Sequence, residues 1–194
     1  GQKKIPTYAE VRSYPIFERQ EIIWIWMGDP ELADHSKLLV DFPWNDDHEN
    51  WHHMHDMYEI ECNYMLLVDN LMDLTHIPYI HRNTIGGGSQ QGQVDATMDV
   101  TPKDSGVHYI RWMESIVPPP TYVKGAGFEK GVLVDRWQEF EYVVPSTVIQ
   151  WTGALEEGRQ AKKNRDQEGG FNLRLYHGAT PKTESSCYYF WTPL

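Results

Sequence analysis

Two histidines and a carboxylate stand close together in the stretch DNLMDLTHIPYIH, residues 69–81. Asp73 precedes His76 by three positions, His81 follows five later, and Pro78 lies between them. Imidazole nitrogens are ready ligands for a divalent metal, and a nearby carboxylate can orient such a ligand through its second ring nitrogen. The spacing itself is awkward. Histidines four apart share a helical face, but five steps of about 100° turn the second ring well away from the first. A regular helix therefore cannot aim both at one ion. Pro78 offers a remedy, because proline removes a backbone donor and kinks or restarts a helix. Asn70, Asp73 and His76, each three apart, would share one stripe. His76 alone reads as a core histidine; the four polar residues with the proline read as a site.

These residues need a scaffold. Leu66, Leu67, Leu71, Leu74 and Ile77 recur at three- and four-residue spacing, which predicts a helix over about 63–77 with one buried face, interrupted by Pro78. Around it the chain reads as β. AEVRSYPIF and EIIWIWMGD read as two strands joined by a polar link, and WHHMHDMYEIEC reads as a third. QVDATMDVTP, GVHYIRWMESIV, LVDRWQEFEYVVP, TVIQWTGALEE, FNLRLYHGATP and SSCYYFWTPL follow as strands, the last two flanking a TPKTE turn. Segment 157–170 is charged and Gly-rich and reads as an exposed, mobile loop. IGGGSQQGQ has no phosphate-loop lysine and no helix expected after it, so it reads as a flexible segment beside the active site. Strands, a helix, then a run of strands predict an α+β fold on a mostly antiparallel sheet.

Composition narrows the function. The 194 residues carry a formal net charge of -11, against the basic patches that nucleic acid or an anionic membrane requires. No apolar run approaches the roughly 20 residues of a membrane span. The start, GQKKIPTYAEVR, lacks the apolar core of a signal peptide and reads as a mid-chain beginning. Cys62 and Cys187 form no CxxC pair, so a reducing, cytoplasmic setting is expected, with one disulfide left open. His53 and His55 in WHHMHD would share a strand face, as in part of a cupin-type metal site, but no later partners stand at suitable spacing. That pair reads as a partly exposed strand.

NLMDLTHIPYIH resembles the mononuclear-iron motif of Rieske-type non-heme iron oxygenases, Asn-x-x-Asp-x-x-His-x-x-x-x-His. The flanks are similar as well. VRSYPIFERQEIIWIWMGDPELAD looks like the segment after the Rieske cluster, while RWMESIVPPP, VDRWQEFEYVVPS and HGATPKTESSCYYFW look like the vanillate O-demethylase and dicamba demethylase branch. The resemblance implies a helix-grip fold, a curved antiparallel sheet wrapped around helices. Residues 1–45 would be the trailing strands of a Rieske-type domain, and 46–194 most of a catalytic domain. It implies that His76 and His81 bind mononuclear Fe(II), that Asp73 relays an electron from a neighbouring subunit's Rieske 2Fe–2S centre, and that Asn70 sits close to the iron. His177 and Gln150 match pocket positions, with Gln150 near the substrate carboxylate. Read as residues alone, both fit ordinary strand positions equally well.

The implied activity is aromatic monooxygenation, with O-demethylation of a methoxy-aromatic acid such as vanillate. The implied partners are an aromatic substrate, O₂, electrons from NAD(P)H through a reductase or ferredoxin, and two further copies in a homotrimer. Two departures stand out. No Cys–His pairs for a Rieske cluster are present. The family's carboxylate ligand would fall beyond Leu194, and Asp95, Asp99, Asp104, Asp135 and Asp166 do not match its place. A different ring-hydroxylating reaction, or a non-catalytic helix-grip domain that only binds a hydrophobic ligand, are the alternatives.

Overall fold

The computed structural model describes residues 4–38 and 40–194. Two elements open it: strands β1 (Ile16–Arg19) and β2 (Ile22–Ile25), an antiparallel hairpin pairing Ile16 with Ile25 and Arg19 with Ile22. Its two-residue turn, Gln20–Glu21, takes positive φ at both positions, the geometry that matches strand twist. Neither residue is glycine, and Gln20 is held from three sides. Its side chain donates to Asp41 and accepts from the Phe42 N–H, and its carbonyl accepts from Asn45. Alternation along β2 half-buries Ile22 and Trp24 and leaves Ile23 and Ile25 outside.

Seven further strands form one antiparallel sheet in the order β3-β9-β8-β7-β6-β5-β4. They are β3 (Asp56–Ile60), β4 (Thr97–Lys103), β5 (Gly106–Ile116), β6 (Val134–Val143), β7 (Thr147–Glu156), β8 (Phe171–Thr183) and β9 (Ser186–Pro193). From β4 to β9 each strand pairs with the next, and β3 closes against β9, pairing Tyr58 with Tyr189. Successive side chains point to opposite faces. One face meets the helices. There Tyr109, Phe140 and Val148 pack against Val68, Leu74 and Ile77, while Met113, Val134 and Ala154 pack against Tyr122 and Phe128.

The other face is a layer of tryptophans. Trp137 is fully buried, edge-on to Trp151 at 6.1 Å and tilted against Trp112 at 6.2 Å. The Arg174 guanidinium lies 3.6 Å from the Trp151 ring centre and also faces Trp44 and Trp51, so cation–π contact ties the segment before β3 to the sheet. Truncating Trp137 to alanine should cost about 3–5 kcal/mol of unfolding free energy, the range for a large aromatic removed from a core that cannot collapse. Urea unfolding of the two proteins measures it, and a loss under about 1 kcal/mol would mean that this layer contributes little.

Several sequence readings change. The 157–170 segment is no free loop. It contains helix α5 (Ala161–Asn164), Ala161 is buried beside Trp137, and Arg165 covers Trp151 at 4.0 Å while pairing with Glu139. The turn between β8 and β9 is confined to residues 184–185, at the end of TPKTE, because pairing runs on to Thr183 with Ser186. The strand read across residues 51–62 shrinks to β3, and His53 and His55 precede it. His53 binds the Trp44 carbonyl, and His55 binds Thr192 and Glu21, so this pair ties the early segment to β9. Cys62 and Cys187 are free thiols.

Candidate functional site

Helix α1 (Tyr64–Met72) starts where the Asn63 side chain accepts the Met65 N–H. It ends at Asp73, four residues earlier than the apolar spacing predicts. Asp73 is extended, with φ −101° and ψ 104°, and serves as C-cap of α1 and N-cap of a 3-10 turn, Leu74–His76. Its carboxylate accepts the Thr75 N–H at 2.8 Å. Helix α2 (Ile77–Ile80) follows, with Pro78 in its first turn, where no N–H is required. The break that reorients the chain is therefore Asp73, and Pro78 begins the next helix rather than kinking the first. The result brings the His76 and His81 rings to 5.5 Å between centroids, inclined by 63°. The buried face also differs. Leu66 is 60% exposed, and Val68 takes the core position.

Asp73 faces solvent and makes no hydrogen bond to His76 among the described residues. The expectation that it holds the second nitrogen of that ring is not met. Hydrogen bonds from Thr75 keep its carboxyl below the usual carboxylate range, with smaller help from the charges of His76 and Arg111. It is an exposed anion beside His76.

Between the two apolar clusters of the helix face lies a cavity of about 230 Å³. Asn70, His76, His81, Gln150 and His177 all line it; Asp73 does not. Residues from α1, the 3-10 turn, the end of α2, β7 and β8, up to 107 positions apart in sequence, thus converge on one space. The register explains how. Phe140, Gln150 and Leu175 lie side by side on β6, β7 and β8, and Val148 stands opposite His177. His177 lies 3.2 Å from Gln150 Oε1 through Nε2 and 2.7 Å from the Tyr189 hydroxyl through Nδ1. A carbonyl oxygen only accepts, so Nε2 carries the proton and Nδ1 accepts from Tyr189. Burial pushes the His177 pKa down to about 4, and the ring is neutral near pH 7.

That burial has a pH signature. Between about pH 6.5 and 4 the unfolded chain takes up a proton that the folded chain refuses. Stability contributed by the neutral ring is full above pH 6.5 and falls as pH drops toward 4, by on the order of 3 kcal/mol. A His177→Gln variant should lose that part of the acid sensitivity. Unfolding free energies at pH 7 and pH 4.5 check it, and identical slopes in both proteins would contradict it.

The glycine segment is packed rather than flexible. A Cβ on Gly86 would meet the Ile77 carbonyl oxygen at 2.0 Å, and one on Gly88 would meet that of Val117 at 2.2 Å. A short helix, α3 (Gln90–Val94), does follow, capped by Ser89. Helix α4 (Pro120–Ala126) was not expected either, although proline at its start and Gly127 just past its end are readable signals. It supplies Tyr122, whose hydroxyl bonds Thr152 in the cavity wall. Arg136 and Gln138 on β6 line the same wall. The strand alternates polar residues onto both faces, VDRWQEFEYV, so the sequence alone does not single out this pair.

The two imidazoles fit part of a facial two-histidine, one-carboxylate iron site. No carboxylate lines the cavity, and the described residues contain no group of three His, Cys, Asp or Glu that could hold a metal. The residues present therefore suit iron as two of its ligands and offer nothing for a Rieske cluster.

A curved antiparallel sheet closed by helices over a mainly apolar cavity with a few polar groups defines a helix-grip domain. Residues 60–193 match the model for the vanillate O-demethylase oxygenase C-terminal domain, and the chain belongs to that family. It is 32% identical to the vanillate O-demethylase oxygenase subunit of Pseudomonas sp. (strain HR199 / DSM 7063), over 97% of this chain and 52% of that protein. It is 32% identical to the dicamba O-demethylase oxygenase component of Stenotrophomonas maltophilia, over 98% and 52%. The toluene-4-sulfonate monooxygenase iron-sulfur subunit of Comamonas testosteroni is 31% identical, over 98% and 54%. Dicamba monooxygenase bound to 3,6-dichlorosalicylic acid superposes with a TM-score of 0.85 at 30% identity, covering 97% of this chain and 52% of that one. The chain spans about half the length of the curated relatives it matches.

Proposed function

We propose that this chain is the catalytic part of the oxygenase component of a Rieske-type non-heme iron monooxygenase that O-demethylates a methoxy-aromatic acid. The observation that carries the reading is the convergence of His76 and His81 on a cavity whose wall also holds Asn70, Gln150 and His177. Family membership supports it, as do relatives named for vanillate, dicamba and toluene-4-sulfonate.

His76 and His81 would hold Fe(II), which when bound supplies reduction of O₂ and transfer of one oxygen atom to substrate. The chain's own residues do the rest. Leu71, Leu74, Ile77 and Phe140 offer an apolar surface to an aromatic ring and limit water. Asn70, in the wall with both histidines, fixes groups near the metal. His177 and Gln150 offer hydrogen bonds to polar substituents, with the imidazole neutral and its proton on Nε2. A methoxy carbon hydroxylated there leaves as formaldehyde, and the phenol takes the proton.

Asp73 suits the role of electron relay because its carboxylate is exposed, ionised and next to His76, open to a neighbouring subunit. In this reading residues 1–45 trail from a Rieske-type domain, and 46–194 form the catalytic domain. The protein is cytoplasmic, forms a homotrimer, and receives electrons from NAD(P)H through a reductase or ferredoxin. No helix among the described residues is long and apolar enough to cross a membrane.

The test is to quantify iron and acid-labile sulfide in the protein with its complete polypeptide. The reading expects sulfide together with iron in excess of the cluster's own. Iron bound at His76 and His81 without any sulfide would remove the Rieske relay from the account, and no iron at all would leave a ligand-binding domain.

A further inference from the structure

Among the described residues, the cavity wall contains one permanent charge. Arg136 is 1% exposed, lines the cavity, and has no acceptor for Nε or Nη1 among the described residues. Its guanidinium rests 4.7 Å from the centre of the Tyr122 ring. That contact occupies one face of the cation and leaves its edge donors free. Among the described residues no Asp or Glu lines the cavity to neutralise it. Buried cations without a paired anion are rare because desolvation is so costly, and Arg is suited to planar, two-point recognition of an oxyanion.

Other groups that could receive an acid are occupied or uncharged. His177 is neutral and donates its proton to Gln150. Gln150, which the resemblance places near the substrate carboxylate, has its Oε1 on His177 and offers an acid only neutral N–H donors. Thr152 donates to the Trp137 carbonyl, and Tyr122 bonds Thr152. Gln138, next to Arg136 on the same strand face, accepts from Arg111, a second cation on that face. Arg136 pairs with Ala154 at the α4 end of the wall, while His177 pairs with Val148 at the α1 end. The cavity is therefore cationic at one end and neutral-polar at the other.

We propose that Arg136 is the anchor for the acid group of the substrate, an aromatic monoanion whose carboxylate or sulfonate sits on the guanidinium. The ring then extends along the apolar wall toward the histidine pair, and the neutral substituents face His177 and Gln150. This rests on the oxygenase reading and adds to it the residue that selects anionic substrates.

Equilibrium binding, followed by tryptophan fluorescence without reductant or turnover, separates this from the oxygenase reading. The probes are 3-methoxybenzoate, toluene-4-sulfonate and the uncharged 3-methoxybenzamide, with the complete protein and its Arg136→Met and Arg136→Lys variants. Wild type should bind both anions at least ~100-fold more tightly than the amide, the scale of a desolvated ion pair. Arg136→Met should abolish that preference while holding the amide within ~3-fold, and Arg136→Lys should retain part of it. Ligand-free Arg136→Met should melt no lower than wild type, since it removes an unpaired buried charge, and the acids should no longer raise its melting temperature. An unchanged acid-to-amide ratio in Arg136→Met would overturn the proposal. So would a wild type that binds neither anion, because the guanidinium would then be neutralised by the protein itself. Formaldehyde release plays no part in these outcomes, so failure of the oxygenase reading would register separately.

Discussion

Replacing His76 with alanine is expected to strip the mononuclear iron from the protein and to end turnover. Among the described residues no third His, Cys, Asp or Glu stands close enough to join these two imidazoles on a metal, and the family resemblance implies one further carboxylate. Removing one of three leaves a pair that cannot hold a labile divalent ion through purification. Loss of a group that merely supports a ligand costs about 10–100-fold in metal affinity, so loss of the ligand should exceed that. His81→Ala should behave alike, since the two rings share the same cavity wall. His55→Ala is the control, because that ring is committed to Thr192 and Glu21 on the far side of the fold. Metal analysis of the purified variants, alongside binding of 3-methoxybenzoate, separates two explanations. Iron lost with acid binding kept is the oxygenase result. Iron kept in His76→Ala would remove this histidine from the site.

A second large effect is expected from a glycine that touches no substrate. Gly86→Ala places a methyl 2.0 Å from the Ile77 carbonyl oxygen and 2.7 Å from its carbon, and both are backbone atoms that no rotamer change can move. The Gly86 N–H donates to the His81 carbonyl, and the Gly86 carbonyl accepts from the buried Gln93 side chain. The segment therefore locks the end of α2, where His81 stands. The variant should lose roughly 2–4 kcal/mol, as overpacking and broken buried hydrogen bonds add. Its iron content should fall in parallel. Gly131→Ala isolates the conformational part, because its φ of +89° is strained for alanine while nothing lies within 4 Å of the new methyl. That control should cost only about 1–2 kcal/mol. Equal unfolding midpoints for Gly86→Ala and wild type would mean that the segment yields freely and is not the lock described.

What could be read in the sequence divides along a physical line. The cavity is lined by Asn70, His76 and His81, which stood together in one motif, and by Gln150 and His177, which only the family resemblance singled out, because as residues they fit ordinary strand positions equally well. Most of the strands were legible from alternation, and their pairing follows chain order with one exception, β3 beside β9. The helix break was harder. Apolar spacing continues through Leu74 and Ile77 on both sides of Asp73, so periodicity alone does not register a change of axis. The Asp side chain as a local cap was the competing signal. Segment 157–170 looked solvated because its charges outnumber its apolar residues, yet cation–π contact lets Arg165 pack on Trp151. Arg136 escaped notice because one arginine in a strand carries no spacing signal. Only the absence of carboxylates around it makes it informative, and that absence exists only in three dimensions.

The most direct test of the account is formaldehyde. The complete protein, loaded with iron, reduced, and given O₂ and 3-methoxybenzoate in a single turnover, should release formaldehyde and 3-hydroxybenzoate in equal amounts. The yield should approach one per mononuclear iron, and the Asp73→Asn variant should release far less while keeping its iron. Binding of the acid with no formaldehyde and no hydroxylated product, from protein shown to contain iron, would contradict the claim that this cavity performs oxidative demethylation.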